Sequence, residues 1–593
     1  MKTESGVFEK GTLRISPIPP DFECHQKVLS GSPLGVTEIE ICFRAIKPTT
    51  PKKCVLSWQE PMTEIHHKWV SGPNGNQHLD FKDTKAQHFD SRVHEHSPVL
   101  CLYKLNGNNT ILFALSDAMH KGRLGFQVTE DGRLECSVTL FEENWEQIRD
   151  YSVIIRVDRR SRPMQECLRD CAQWWERLIP GSIGDLPEGA QNPRYNIRGK
   201  LSSSTLEDID LKSSLALKYG LKSFSFGAGW PEISSLQPET EALDQLKTYC
   251  KCLRDKGMTS LARVNLTKCR SAAASMRNKL IGPRDAFGEL IDPSEACLDY
   301  RYPEVRQMAI RSCEHILQYC QLDGLILNFP NDPIPETTHD QGDPAQDFHS
   351  SSEAFSVFLV DLKKALRNLH PDVLIEIHQP STGPHMFKIA NMVRASHCGS
   401  SFADNRMRIL DIRMLSGRVI PHASPIFWNP SEKVESAAMQ LTHTLFAVPQ
   451  VAQNLQDLPT EHQNMLRFFL SFWTEHRDVI LHGQLNALEP QNGFPLVSSL
   501  NDKKLLIAVY SNSLIQLPKN LPNVLLLVNG TYRDHVVLEH DERLGPYSME
   551  VRSCTGEILL QRNEDFPEGL NRIDVPINGT ITLKKLNSHS LKK

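Results

Sequence analysis

Between about residues 164 and 490, short apolar runs alternate with amphipathic helical stretches, and this alternation constrains the fold more than any other feature. Strand candidates are Tyr195–Leu201, Lys222–Gly227, Ser260–Asn265, Ala296–Arg301, Gly324–Phe329, Val373–Gln379, Met392–Cys398 and Val419–Ala423. Helical spacing marks Met164–Leu178, Thr205–Tyr219, Glu239–Lys256, Glu304–Gln321 and Ser352–Leu369, with Val434–Leu445 and Glu461–His476 after the last strand. Eight strands alternating with helices or loops over roughly 230 residues predict a (β/α)8 barrel. A doubly wound sheet is the alternative, but no Gly-x-Gly-x-x-Gly follows a strand.

The flanks read differently. Up to residue 163, short β runs such as Val36–Phe43, Val99–Leu105 and Arg133–Leu140 are separated by turn signals such as Asp131-Gly132. From residue 491 short β runs return. The expected chain is multidomain α/β: an N-terminal β-sandwich over 1–163, a (β/α)8 TIM barrel over 164–490, and a C-terminal antiparallel β-domain over 491–593.

Composition excludes some partners. Lys and Arg number 66 against 71 Asp and Glu, a net charge of -5, which gives no general pull toward nucleic acid or anionic lipid. No window approaches the roughly 18 apolar residues of a membrane span. The Met1–Gly6 start carries no apolar leader, and the 15 cysteines are scattered without a disulfide framework. The expectation is a cytoplasmic chain with free thiols, in which the sequons at Asn108, Asn265, Asn529 and Asn578 are chance matches. No cofactor and no metal are expected, and homo-oligomerisation is left open.

A barrel of this kind works at the C-terminal ends of its strands. Those ends read Arg198-Gly199-Lys200, Gly227-Ala228-Gly229-Trp230, Arg263-Val264-Asn265, Asp299-Tyr300-Arg301, Leu327-Asn328-Phe329, Glu376-Ile377-His378-Gln379, Ser396-His397-Cys398 and His422-Ala423-Ser424. The rim is rich in His, Arg and Asn, with Asp299 and Glu376 its obvious carboxylates.

Several blocks carry a resemblance. They are Leu298–Arg306, Leu322–Phe329, Ile375–Pro380 with Gly383-Pro384, Asn391–Arg394, Asn405-Arg406, Leu410–Gly417, Val448–Gln450, Phe472–Asp478 and the Trp174-Trp175 pair. Together they resemble glycoside hydrolase family 36, the α-galactosidase family built as a β-sandwich, a (β/α)8 barrel and a C-terminal β-domain. The resemblance implies a saccharide ligand and a retaining mechanism that needs two carboxyl groups about 5–5.5 Å apart.

The departures fall on the site. The family's nucleophile is the Asp ending Asp-Gly-x-Lys-x-Asp-Phe on the fourth strand; here Asn328 stands there, and Ile326 replaces the Lys. The family's acid/base run after the sixth strand has become Ser396–Ser401, placing His397 and Ser401 at carboxylate positions. Asp-Asp-Gly-Trp has become Gly227-Ala228-Gly229-Trp230, Trp-Tyr-Ser has become Ile197–Lys200, and a His-Ser-Asp-like run has become His422-Ala423-Ser424.

The family positions Asn328, His397, Ser401 and Glu376 are therefore the candidate catalytic set, lacking the usual pair of acids. Trp230, Arg198, Arg263, His378, Arg406 and His422 are the candidate saccharide-binding set. Bland alternatives stand beside these: core packing for Trp230, surface charge for Arg198 and Arg263 (with Lys200) against an anionic ligand, and polar lining for His378, His397 and His422 against acid/base work or zinc binding with Cys398. The expected protein is a pseudoenzyme of α-galactosidase type. The alternative is an active α-glycosidase with relocated acid/base groups.

Overall fold

The computed structural model describes residues 13–72, 75–79, 86–143, 145–179, 186–197, 204–227, 240–267, 279–281, 297–329, 343–396 and 398–586. Over Arg14–Asp158, a five-stranded and a seven-stranded antiparallel sheet face one another. Alternation builds this sandwich: along Cys54–Glu60 every second residue is buried. Between the sheets, Trp58 of one meets Phe113 of the other edge to face at 5.2 Å. The strand Val99–Tyr103 is buried at every position. Leu100 and Leu102 enter the sandwich core, while Val99, Cys101 and Tyr103 join the core shared with the barrel. A sheet covered on both faces explains that unbroken apolar run.

The barrel strands, in order, are Arg194–Ile197, Ser223–Phe226, Thr259–Asn265, Gly324–Asn328, Leu374–His378, Met392–Arg394, Ile420–His422 and Gln450–Val451. All neighbours are parallel, and a His422–Val448 bridge joins the seventh strand to the eighth. Helices follow the strands in turn. In Leu206–Tyr219, the Thr205 side chain accepts from the Asp208 amide and Asp208 accepts from the Thr205 amide, and Gly220 ends the helix at φ 93°.

The expected fourth strand, Ala296–Arg301, is not a barrel strand. Cys297–Leu298 pairs antiparallel with Leu280–Ile281 instead. Asp299 Oδ1 accepts from the Arg301 amide at 3.0 Å, a local turn that ends the extended run. Its carboxylate also binds the Arg301 guanidinium at 2.8 Å, so Asp299 is a turn residue rather than a strand-end acid. The missing strand is Gln450–Val451, too short to show a period and preceded by Pro449.

The C-terminal β-region begins at Gln484–Leu488, before residue 491. Its seven-stranded and three-stranded sheets are antiparallel except for two parallel pairs, Lys504–Val509 with Val524–Asn529 and Leu514–Gln516 with His535–His540. None of the described cysteines is in a disulfide.

Buried polar groups fasten the sandwich to the barrel. His120 Nδ1 lies 2.8 Å from Asp117 Oδ2, and its Nε2 lies 3.2 Å from Glu353 of the helix Ser351–Leu369. Burial alone would lower the His120 pKa, but Asp117 and Glu353 outweigh it and hold the ring at about 10. This is above the unfolded value near 6.5, so the stabilisation is complete below about pH 6.5 and is lost as pH rises through 10. His120→Gln is expected to destabilise the fold by about 3–5 kcal/mol near pH 6. Denaturant melts from pH 6 to 10 should show the gap to the parent protein shrinking; a constant gap would mean the ring is not charged.

Candidate functional site

One carboxylate occurs in the eight described barrel strands: Glu376, on the fifth. It is fully buried and held between two guanidiniums, that of Arg194 from the first strand and that of Arg394 from the sixth, whose Nε donates to Oε1 at 3.1 Å. Gln450 Nε2 on the eighth strand donates to Glu376 Oε2 at 3.2 Å and to His422 Nδ1 at 3.1 Å. His422 Nε2 donates to the Ala190 carbonyl at 2.8 Å. Gln450 Oε1 accepts from Asn196 at 3.1 Å, and Asn196 Oδ1 accepts from Ser225 at 2.6 Å. Every bond in this chain has a defined donor and acceptor.

The charges follow from the contacts. Burial would raise the Glu376 carboxyl, but Arg194 and Arg394 outweigh it and bring it down to about 2. Burial, and next the charge of Arg194, lower His422 to about 3, so its ring is neutral. Burial and then Arg394 likewise lower His378 to about 3.

Asn328 ends the fourth strand, and its Oδ1 lies 2.6 Å from His378 Nε2. The His378 Nδ1 faces the Gln379 carbonyl at 3.0 Å. A neutral ring carries one proton, which the carbonyl takes at Nδ1, so Nε2 offers a lone pair. A half-turn of the Asn328 amide places its NH2 on that lone pair. The amide thus suits an uncharged histidine as a carboxylate would not.

The sequence candidates divide on this geometry. Asn328, Glu376, His378, His422 and Arg263 lie on barrel strands with side chains directed to one lumen. Arg406 does not: its Nε and Nη2 donate to the Gly493 carbonyl at 3.1 and 2.8 Å, and its guanidinium lies 4.5 Å from the Tyr510 ring centre. It docks the C-terminal region rather than reaching the lumen. Ser401 caps the helix Phe402–Leu415, its Oγ accepting from the Asp404 amide at 3.3 Å. Arg198, Trp230 and His397, with Lys200 and Ala228, lie outside the described residues. Arg194, Arg394 and Gln450 were missed as site residues; an arginine within an apolar barrel strand was the available signal.

Among the described residues, no group of three or more His, Cys, Asp and Glu is placed to hold a metal ion.

No protein-family model matches the chain, and no curated protein sequence does. Solved structures do match. The GH36 α-galactosidase AgaB from Geobacillus stearothermophilus superposes with a TM-score of 0.63 at 13% identity, covering 95% of this chain and 81% of that one. The α-galactosidase from Lactobacillus brevis gives 0.63 at 12% identity, covering 99% and 89%. The G. stearothermophilus α-galactosidase AgaA, solved in complex with raffinose, gives 0.63 at 12% identity, covering 95% and 81%. The chain has a GH36-like fold: a sandwich, a (β/α)8 barrel and a C-terminal β-region.

Two outcomes follow from the lumen. Glu376→Gln leaves Arg194 and Arg394 buried without their anion and is expected to cost about 3–5 kcal/mol in denaturant melts. Asn328→Asp places an anion beside Nε2, so the His378 pKa, read from ring proton shifts, should rise from about 3 toward the neutral range. An unmoved His378 would exclude this contact.

Proposed function

We propose that this chain is a saccharide-binding pseudoenzyme of the α-galactosidase type. The observation that carries the proposal is the charge of the described lumen: an amide at Asn328, and a single carboxylate that two arginines already occupy. A retaining glycosidase needs a nucleophilic carboxylate and a second carboxyl that gives up a proton. Glu376, with a pKa of about 2, is unprotonated at neutral pH and has no proton to give. Both Glu376 oxygens are engaged, and attack on an anomeric carbon would free them from Arg194 and Arg394. The transition state is oxocarbenium-like, and a lumen dominated by guanidiniums disfavours positive charge.

Saccharide binding is supported by the GH36-like fold and by the AgaA structure that holds raffinose in such a scaffold. The half-buried Asn196 and Asn328 amides suit sugar hydroxyls.

The test is turnover of aryl α-galactosides by the purified chain. No release above the buffer rate is expected, and Asn328→Asp alone should not restore it. Turnover that Glu376→Gln abolishes would establish an active glycosidase and end this proposal. Calorimetric titration with galactose and raffinose tests binding separately.

A further inference from the structure

Arg263 is the exception in the lumen. It lies on the third barrel strand, in register with Ile326 of the fourth, two residues before the Asn265–Asn328 pair at the strand ends. Residues two apart on a strand share a face, so Arg263 and Asn265 point the same way. Arg194 and Arg394 both bind Glu376, whereas Arg263 makes no hydrogen bond or ion pair among the described residues; its Nε is buried without a partner, as is that of Arg194, but Arg194 is paired through its Nη1. The residue as a whole is half-buried.

The surroundings make this costly. Burial, followed by the charge of Arg394, lowers the Arg263 pKa to about 10, with Glu376 acting weakly in the other direction. Ile326 beside it is apolar and 3% exposed, and offers no counter-charge. The described barrel strands hold three guanidiniums, Arg194, Arg263 and Arg394, against one carboxylate, Glu376, which leaves a charge of +2. His378 and His422 are neutral and add nothing. Buried charges in folded proteins are paired or bind a partner of opposite sign, and a guanidinium fork matches the oxygens of a carboxylate, sulfate or phosphate.

We infer that the barrel lumen binds an anionic saccharide, a sugar bearing a carboxylate, sulfate or phosphate group, with that group seated on Arg263. The hydroxyls of the same ligand fall to Asn328 and Asn196. The inference rests on the saccharide-binding proposal and specifies its ligand class. It also supplies a counter-charge to a cation that has none among the described residues.

The test is calorimetric titration of the full chain with matched pairs: galacturonate against galactose, glucuronate against glucose, and galactose 6-sulfate and 6-phosphate against galactose, with inorganic sulfate as the anion alone. At least one charged sugar is expected to bind about tenfold or more tightly than its neutral counterpart, and added salt should weaken it selectively. Arg263→Gln should bring that ratio to about one. The same variant, without ligand, should melt at a higher temperature than the parent, whereas a purely structural arginine would lower it. Arg263→Lys keeps the charge without the fork and should retain part of the preference.

Equal affinity within every pair, or a preference that survives Arg263→Gln, overturns the inference and leaves saccharide binding intact. Binding of inorganic sulfate through Arg263 with no sugar bound would keep the anion site and remove the saccharide proposal. Binding of neither sugar nor sulfate overturns both.

Discussion

The lumen of this barrel depends on one carboxylate. Glu376 supplies the negative charge that lets Arg194 and Arg394 sit inside a close-packed barrel. Through Gln450 the same group reaches His422, Asn196 and Ser225, so the first, second, fifth, sixth, seventh and eighth strands share one hydrogen-bonded network. The His378–Asn328 contact ties the fourth strand to the fifth. Such networks are favourable only when every member is satisfied, because a lone buried charge costs several kcal/mol. The eighth strand pairs with the first over only two residues, and the Gln450 side chain adds bonds to Glu376, His422 and Asn196.

The flanking regions are fastened by similar chemistry, in which each polar group serves one junction. Asp117, His120 and Glu353 join the sandwich to a barrel helix. The Trp69 indole donates to Asp411 at 2.9 Å on the helix Phe402–Leu415. Arg406 of that helix holds the Gly493 carbonyl, and its Nη1 lies 2.7 Å from His443 Nδ1. One helix therefore bonds both β-regions, and Ser401, at its start, serves as its cap. A residue near the mouth of a barrel can belong to the frame rather than to the ligand.

The architecture was legible because its signals are long and periodic: strand–helix alternation in the middle of the chain, period-two alternation in the flanks. What the sequence hid is short or local. Asp299 lies in an apolar-flanked stretch that resembles a strand, and its bond to the Arg301 amide closes a turn there. Gln450 sits in a two-residue strand, below the length at which any period shows. Arg406 follows the family pattern, yet the pattern does not say which way the side chain leaves its helix. Arg194 lies just before the expected strand Tyr195–Leu201 and Arg394 inside Met392–Cys398, and their role appears only when distant strands are brought together around Glu376.

The sign of the charge in the lumen sets what chemistry the scaffold can support. An α-galactosidase mechanism gathers two carboxylates around an anomeric centre that becomes positive. Along the described barrel strands three guanidiniums stand against one carboxylate. At an effective dielectric near 20, each uncompensated positive charge about 8 Å from such a centre opposes it by ~2 kcal/mol. A carboxylate introduced at position 328 would offset part of that field, and it would also draw a proton onto His378, whose Nε2 lies 2.6 Å from Asn328 Oδ1, adding a cation where the anion was introduced. The amide at Asn328 and the arginines of the described strands are coupled in this way. Under the proposed function, an aspartate at position 328 with the arginines kept leaves a site suited to holding negative charge rather than to generating positive charge.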